Sequence, residues 1–457
     1  MYLVDTHSHL WHPEFKFDLK RVVNRAKEKS VEYIVVLGVD LDTSLKSLSI
    51  ARKFKNIYAA VGSHPHNVKS FKDRDLLILK KLLRRKKVVA FGEIGLDYYR
   101  KSSTSKNQIS MLERLLGLWQ DFNHLPLVIH NRDADEDILS VLDNIKRFSP
   151  KVIMHCFSGD IDFLKKCLKR GFYISYATNL TFNRDLKKLI KHTPLDRLLL
   201  ETDSPYLAPL TRRGGRNEPA FLKDSLDIVL KERSVTEEDL RRSLALNSKR
   251  VFGIGSIKRE PKYLYRYKDG LYINLTNRCS NRCYFCSGLV SDYFAGHNLR
   301  LKREPKIGEV LRAIEKEKGF DEVAFCGIGE PFFKFRELKE IAKGLKSKGY
   351  RVRVITNGCG NLISKRNLLP ELKGCIDSIS ISLNVEDKDK YNSFCNPDFG
   401  DDTFNRVIDF IKESKKYIPW VEVSFLDIEG FSLEKARKIT DDLGVKCRVR
   451  AYNLIKA

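Results

Sequence analysis

Short β-branched and apolar runs alternate with stretches of helical periodicity along the whole chain, the pattern of β/α units on a parallel sheet. In the first half eight such runs stand out: Leu3–Thr6, Tyr33–Val39, Ile57–Gly62, Val88–Glu93, Leu127–His130, Val152–His155, Phe172–Tyr176 and Leu198–Glu201. Helix-period segments such as Leu76–Leu83 and Ser110–Phe122 lie between them. Eight units over about 250 residues predict a closed (β/α)8 barrel, the TIM-barrel fold. The pattern breaks at Gly253-Ile254-Gly255-Ser256 and the charged stretch Lys258-Arg259-Glu260-Pro261-Lys262. It restarts at Leu271–Leu275, Glu322–Phe325, Val352–Ile355, Ser378–Leu383, Val421–Phe425 and Lys446–Arg450. Six units in about 195 residues predict a smaller, partial (β/α)6 barrel. The chain is thus expected to be an α/β protein with domains at 1–255 and 263–457, joined by a linker at 256–262.

An apolar share of 42 % is enough to build real cores and excludes a disordered chain. No apolar run reaches the roughly eighteen residues of a membrane span, and Tyr2-Leu3-Val4 reads as a strand, not as a secretory segment. A cytoplasmic protein without a membrane partner is expected. The 84 Lys and Arg against 59 Asp and Glu give a net charge of +25, which suits a nucleic-acid partner. Both halves are basic, however, and a lysine-rich thermophile surface would give the same excess, so charge singles out no binding face. Ten cysteines are too few for a disulfide scaffold, and three of them cluster, at 279, 283 and 286.

Polar residues gather where barrel enzymes build active sites, at the carboxyl ends of strands. The first strand ends in Asp5-Thr6-His7-Ser8-His9, and alternation along a strand projects His7 and His9 together. His64 and His66 follow strand three, Glu93 ends strand four, His130 strand five and His155 strand six, and Asp203 closes strand eight. Four imidazoles and two carboxylates meet the needs of two divalent cations with one bridging carboxylate. These motifs (Thr6-His7-Ser8-His9, Gly62-Ser63-His64-Pro65-His66, Gly92-Glu93-Ile94-Gly95-Leu96-Asp97-Tyr98, His130-Asn131-Arg132, His155-Cys156-Phe157-Ser158-Gly159 and Glu201-Thr202-Asp203-Ser204-Pro205) resemble those of the TatD family of metal-dependent hydrolases over about residues 1–255. The resemblance implies one metal on His7, His9, Glu93 and Asp203 and a second on Glu93, His130 and His155. It places His64 and Arg132 at a substrate phosphate and makes Asp203 the acceptor of the attacking water's proton. Magnesium, manganese and zinc all suit this donor set. A DNase or other phosphodiesterase is the expected activity, with hydrolysis of a non-DNA ester, such as one on tRNA, as the alternative.

In the second half the cluster reads Cys279-Ser280-Asn281-Arg282-Cys283-Tyr284-Phe285-Cys286, directly after a strand. Zinc prefers four ligands, and only the distant His297 offers a fourth, so three thiolates suit better a [4Fe–4S] cluster with one open iron. With Phe285 before the third cysteine, the motif resembles the radical S-adenosylmethionine superfamily. Gly327-Ile328-Gly329-Glu330-Pro331, Thr356-Asn357-Gly358 and Ser380-Ile381-Ser382-Leu383-Asn384 fall where that family contacts S-adenosylmethionine. The resemblance implies cluster ligands Cys279, Cys283 and Cys286. It implies cofactor contacts from Phe285, Gly327, Gly329, Glu330, Asn357, Ser382 and Asn384, and an electron donor such as flavodoxin or ferredoxin. The other cysteines here, Cys326, Cys359, Cys375, Cys395 and Cys447, show no paired spacing, so no auxiliary cluster is expected. The chain ends seven residues after Arg450, and no further substrate-binding domain is expected.

The two halves together resemble TatD-associated radical proteins, a bifunctional enzyme in which linkage raises the effective concentration of one site near the other. Nucleic acid or a nucleotide is the expected substrate; the two sites either act on related molecules or are fused only for coordinated expression. The competing reading is a basic nucleic-acid-binding repair scaffold with vestigial centres.

Overall fold

All eight expected strands of the first half form and lie side by side in chain order: β1 (Leu3–Ser8), β2 (Val31–Leu37), β3 (Ile57–Val61), β4 (Val88–Asp97), β5 (Leu127–Arg132), β6 (Val152–Met154), β7 (Tyr173–Tyr176) and β8 (Leu198–Leu200). Every neighbouring pair is parallel, with helices in the crossovers. The structure, a computed structural model, describes residues 1–451 except 146–149, 234, 257–259, 287, 289–291 and 429. It divides into two units, Met1–Lys258 and Arg259–Ala457, and residues 257–259 of the expected linker lie outside the described residues. Among the described residues no helix is long and apolar enough to cross a membrane.

The ring closes just beyond the ends of β8 and β1. The Asp203 amide donates to the His7 carbonyl (2.9 Å) and the His9 amide to the Ser204 carbonyl (2.7 Å). Below this seam Thr202 donates its amide (2.9 Å) and its hydroxyl (2.6 Å) to the buried Asp5 carboxylate. Inside the barrel an apolar plug of Val4, Val35, Leu37, Ala60, Ala90, Val128, Ile153 and Leu199 is continued by Val251, Phe252 and Ile254. A separate, larger core, with Phe15, Phe91, Leu112 and Trp119 fully buried, includes the helices around the ring. The floor beneath the strand ends is therefore apolar, and polar groups at those ends can point only into the mouth.

Two strand ends differ from expectation. Glu93 and His130 do not end β4 and β5, because the ladder continues through Gly95↔His130, Leu96↔Asn131 and Asp97↔Arg132 after a register irregularity between Phe91 and Ile94. Gly95 makes this extension possible. Its φ is +147°, and a Cβ there would overlap the His130 carbonyl.

In the second unit six strands are parallel: β10 (Gly270–Ile273), β13 (Glu322–Phe325), β14 (Arg351–Thr356), β15 (Ser378–Asn384), β16 (Trp420–Asp427) and β17 (Lys446–Ala451). A further strand, β9 (Leu264–Tyr267), pairs antiparallel with β10 at the sheet edge, and a small hairpin joins β11 (Tyr293–Phe294) to β12 (His297–Asn298). Neither was expected, since Tyr263–Tyr267 follows directly on the charged linker. Alternate residues such as Val323, Phe325, Val352, Val354, Ile379, Ile381, Val421 and Val423 form one core with the helices. β17 and β9 stand at opposite edges of the seven-stranded order, so this sheet is a partial barrel.

Substituting Gly95→Ala should destabilise the first unit by about 1–3 kcal/mol through overpacking, lowering its melting temperature by several degrees. Gly117→Ala, at an exposed position of the helix Ser105–Trp119 where a Cβ meets nothing, should raise it slightly. Thermal unfolding of the two variants checks the contrast.

Candidate metal centre and cysteine loop

Four strand ends converge on one carboxylate. Glu93 Oε1 lies 2.9 Å from His130 Nδ1, 3.0 Å from His155 Nε2 and 3.3 Å from His64 Nε2. Its other oxygen, Oε2, faces His7 Nε2 at 3.4 Å and His9 Nε2 at 3.9 Å. Asp203 Oδ1 completes the second group, 3.2 Å from His9 Nε2 and 3.7 Å from His7 Nε2. Asp203 itself has φ +57°, an uncommon left-handed conformation held by the seam hydrogen bond to His7. The atoms of His7, His9 and Asp203, and those of Glu93, His130 and His155, each lie within 4.8 Å of one another.

The imidazoles are turned so that their lone pairs face inward. His9 Nδ1 is 3.2 Å from the Leu37 carbonyl, His155 Nδ1 is 3.3 Å from Glu201 Oε1, and His130 Nε2 is 3.2 Å from Asp97 Oδ2. Those oxygens only accept, so in the neutral ring the outward nitrogen carries the proton and the inward one is bare. The bare nitrogens of His130 and His155 then meet at 3.1 Å, and that of His9 faces His7 Nε2 at 3.2 Å, around carboxylates that also only accept. His7 adds a buried Nδ1 with no hydrogen-bond partner. Crowded acceptors repel unless a cation or extra protons lie between them, and this donor set fits two divalent ions bridged by Glu93.

The electrostatics agree. Burial alone would raise the Glu93 carboxyl, but His155, His64 and hydrogen bonds from His130 and His155 hold it well below the carboxylate range. Burial likewise opposes charge on His9, His130 and His155, yet the carboxylates beside them raise all three, His155 most strongly. His64 behaves differently: burial and then the neighbouring His130 push it down to about 4. Its Nδ1 accepts the His66 amide (3.2 Å), so its Nε2 proton is aimed at Glu93. Arg132, the other expected phosphate contact, lies in the mouth with its guanidinium 3.8 Å over the Tyr99 ring. Together these residues line a cleft of about 930 Å3 with Trp11, Arg100 and Tyr206.

In the second unit the loop after β10 carries the cysteines, Cys279 exposed and Cys283 and Cys286 half-buried. Phe285 packs with Cys283 against the core. The loop after β13 lies directly on this segment. A Cβ on Gly327 would overlap the Asn274 side chain, and one on Gly329 would overlap the carbonyls of Thr276 and Arg278. Glu330 is buried, its carboxylate accepting from the Thr356 hydroxyl (2.8 Å), the Asn357 amide (2.7 Å) and the Phe332 amide (3.2 Å). Burial pushes it up to about 7. Asn357 reaches back to the Ser280 hydroxyl (3.0 Å) and Cys279 Sγ (3.8 Å), which joins Glu330, Asn357 and Cys279 in one neighbourhood. Asn384 donates to Cys395 Sγ (3.6 Å), whereas Ser382 is half-buried on the same strand. His297 sits on the β11–β12 hairpin, bonded to the Arg266 carbonyl at 2.8 Å.

Residues 4–253 match the family model of the TatD related DNases. The chain belongs to the TatD-related DNase family. Residues 273–443 match the Radical SAM superfamily model, so a TatD-type metal-dependent hydrolase is fused here to a radical S-adenosylmethionine domain. An uncharacterised metal-dependent hydrolase, YabD, of Bacillus subtilis (strain 168) is 38 % identical over 55 % of this chain and 99 % of its own length. The 3′-5′ ssDNA/RNA exonuclease TatD of Erwinia tasmaniensis is 32 % identical over 53 % of this chain and 96 % of its own. The crystal structure of YJJV, a TatD homologue from Escherichia coli K12, superposes with a TM-score of 0.53 at 27 % identity, covering 55 % of this chain and 98 % of that one.

Three participants escaped the sequence reading. Asp97 fixes His130 and also contacts His66 Nε2 at 2.9 Å, and its own amide bonds Gln108 Oε1 (2.8 Å). Glu201 fixes His155 while accepting the Cys156 amide (2.6 Å) and the Ser175 hydroxyl (2.5 Å). Both lie inside quoted motifs, and the available signal was a carboxylate with no assigned role among metal-binding residues. Cys395 is the third. The loop 281–284 runs antiparallel to 394–397 through the Asn281↔Pro397 bridge, with the Arg282 amide on the Cys395 carbonyl (3.0 Å) and the Tyr284 amide on the Phe394 carbonyl (3.1 Å). That register sets Cys395 opposite Cys283, a pairing across the chain that no local spacing encodes.

Asp97→Asn and Glu201→Gln should each weaken divalent-metal binding by about 10–100-fold, read by isothermal titration. Because carboxylates raise His9, His130 and His155 in the metal-free chain, binding must displace protons from them. Affinity should therefore fall as pH is lowered, by about tenfold per pH unit for each proton displaced, with proton release visible in buffers of different ionisation enthalpy.

Proposed function

We propose that the first unit is a two-metal phosphodiesterase that removes nucleotides from the 3′ end of single-stranded nucleic acid. The division of Glu93 between two imidazole groups carries this reading, because a bridging carboxylate is what a paired-metal hydrolase requires. The Erwinia exonuclease, similar over the whole of this unit, supports the substrate class. His7, His9 and Asp203 would hold one cation, His130 and His155 the other, with Glu93 shared. Divalent cations held there would lower the pKa of a bound water and offset charge on the phosphate. The protein does the rest. Asp203, kept ionised by His9 and His7 despite its burial, accepts the water's proton. His64 steadies Glu93 with its Nε2 proton. Arg132 sits at the mouth with its cationic face available to phosphate oxygens, steered by the Tyr99 ring. Tyr206, half exposed beside His9 and His12, offers a surface for a base.

We infer that the second unit binds a [4Fe–4S] cluster through Cys279, Cys283 and Cys286 and S-adenosylmethionine beside it. Such a cluster would supply the electron for reductive cleavage of the sulfonium. Glu330 and Asn357, linked to Cys279 through one hydrogen-bond chain, would take the amino group of the methionine moiety. Gly327 and Gly329 keep that chain close by letting the two loops touch.

With a 5′-labelled single-stranded oligonucleotide, the full chain should release mononucleotides in a metal-dependent, chelator-sensitive reaction. Asp203→Asn should slow it by about 100-fold or more; unaltered cleavage in that variant would sink the assignment. After anaerobic reconstitution the protein should show an iron–sulfur chromophore and slow formation of 5′-deoxyadenosine, both lost in Cys286→Ala.

A further inference from the structure

The sheet of the second unit has two unlike faces. Its outward positions are apolar and pack on helices, as described above. The alternate positions of β14 to β17 are polar: Arg353, Ser380, Asn384, Glu422, Arg448 and Arg450. A TIM-type barrel fills that side with branched apolar residues, as the first unit does with Val4, Val35 and Leu199. A polar inner face is a surface for a polar molecule.

The cations on this face are not equally satisfied. Arg353 is paired with Glu322 at 2.8 Å, and Arg448 with Glu422 at 3.3 Å. Glu422 is further occupied by the Ser380 hydroxyl (3.1 Å). Arg450 has no carboxylate within ion-pair distance among the described residues. Its Nη2 donates to a neutral acceptor, Asn384 Oδ1, at 2.7 Å, and its Nε is buried with no hydrogen-bond partner. Burial and then the like charge of Arg448 lower the Arg450 pKa, and the more distant Glu422 only partly offsets them. Leaving a guanidinium so is unfavourable for the empty domain. It is the arrangement that gains most when an oxyanion arrives, since a guanidinium binds carboxylate or phosphate through two parallel hydrogen bonds. Its place is also specific. Arg450 is joined through Asn384 to Cys395, and Cys395 stands opposite Cys283, so the free donors lie beside the proposed cluster loop.

We propose that Arg450, held by Asn384, is an oxyanion-binding site on the inner face of the second unit, and that the radical substrate carries a carboxylate or phosphate group that seats on it. The location beside a radical centre rests on the function proposed above. The anion site does not, and its first test uses cluster-free protein so that the two readings fail separately.

The probe for that test is inorganic phosphate, titrated calorimetrically into the full chain with chelator present. The signal of interest is the part that Arg450→Gln removes. Phosphate affinity should fall about tenfold or more in Arg450→Gln and be partly kept in Arg450→Lys, since lysine preserves charge but not the fork. Asn384→Asp guards against misfolding. It gives Arg450 an internal carboxylate and should abolish the phosphate signal while leaving the melting temperature equal or higher. The second arm measures S-adenosylmethionine binding to reconstituted protein by equilibrium dialysis. Unchanged binding in Arg450→Gln assigns the site to the substrate's anion, and a tenfold loss assigns it to the carboxylate of S-adenosylmethionine. Phosphate and S-adenosylmethionine affinities that both ignore Arg450→Gln and Asn384→Asp would overturn the oxyanion site.

Discussion

One buried carboxylate organises the first half of this protein. Glu93 is withdrawn from water at the centre of the barrel mouth, where an isolated charge would be expelled or protonated. It stays ionised because ring nitrogens brought from β1, β3, β5 and β6 surround it. That convergence depends in turn on barrel closure. His7 and His9 reach Asp203 because the β1–β8 seam is made by the backbones of those same residues, with Thr202 clamped to Asp5 beneath. Folding the ring and assembling the ligand set are therefore one event. An apolar plug below leaves the polar ends no other direction to face.

The outward hydrogen bonds matter as much as the inward ligands. A histidine that may choose its tautomer is a loosely specified metal ligand. Leu37, Asp97 and Glu201 remove that choice for His9, His130 and His155. The result is a cavity full of lone pairs that strain against one another until positive charge enters. Protons can supply it at lower pH and divalent ions near neutrality, so metal and proton occupancy are coupled through the same rings.

The candidate metal-site residues were legible because strand alternation and strand-end position are local properties: His7 and His9 differ by two residues, and Asp203 lies three positions past the apolar run Leu198–Leu200. Glu93 and His130 were expected to end their strands and do not, because the prolongation of β4 and β5 depends on how closely two backbones approach at Gly95. Asp97 and Glu201 were invisible as anchors for a different reason. What they do is fixed by which nitrogen of a distant ring they face, and side-chain direction across a barrel is not written in spacing. Cys395 shows the limit most clearly: it meets Cys283 only because residues 281–284 and 394–397 happen to run antiparallel. β9 was hidden by composition, its alternating tyrosines merging with the charged stretch before it.

The two sheets solve opposite problems with related parts. The first closes, fills its interior with Val, Ile and Leu, and confines chemistry to the rim, which suits a polymer end that enters from outside and leaves shortened. The second stops at β17 and β9, packs its core against one face, and presents serines and arginines on the other. An open sheet with a polar interior cannot bury that face by itself, so its polar groups must be satisfied by each other, by water or by a bound molecule. Arg353 and Arg448 take the first course through Glu322 and Glu422. Arg450 has only the neutral Asn384 and no carboxylate partner among the described residues, and a hydrogen atom can be taken selectively only from a substrate held still. A charged anchor on the last strand, near the cysteine loop, meets that geometric need without contributing to the chemistry itself.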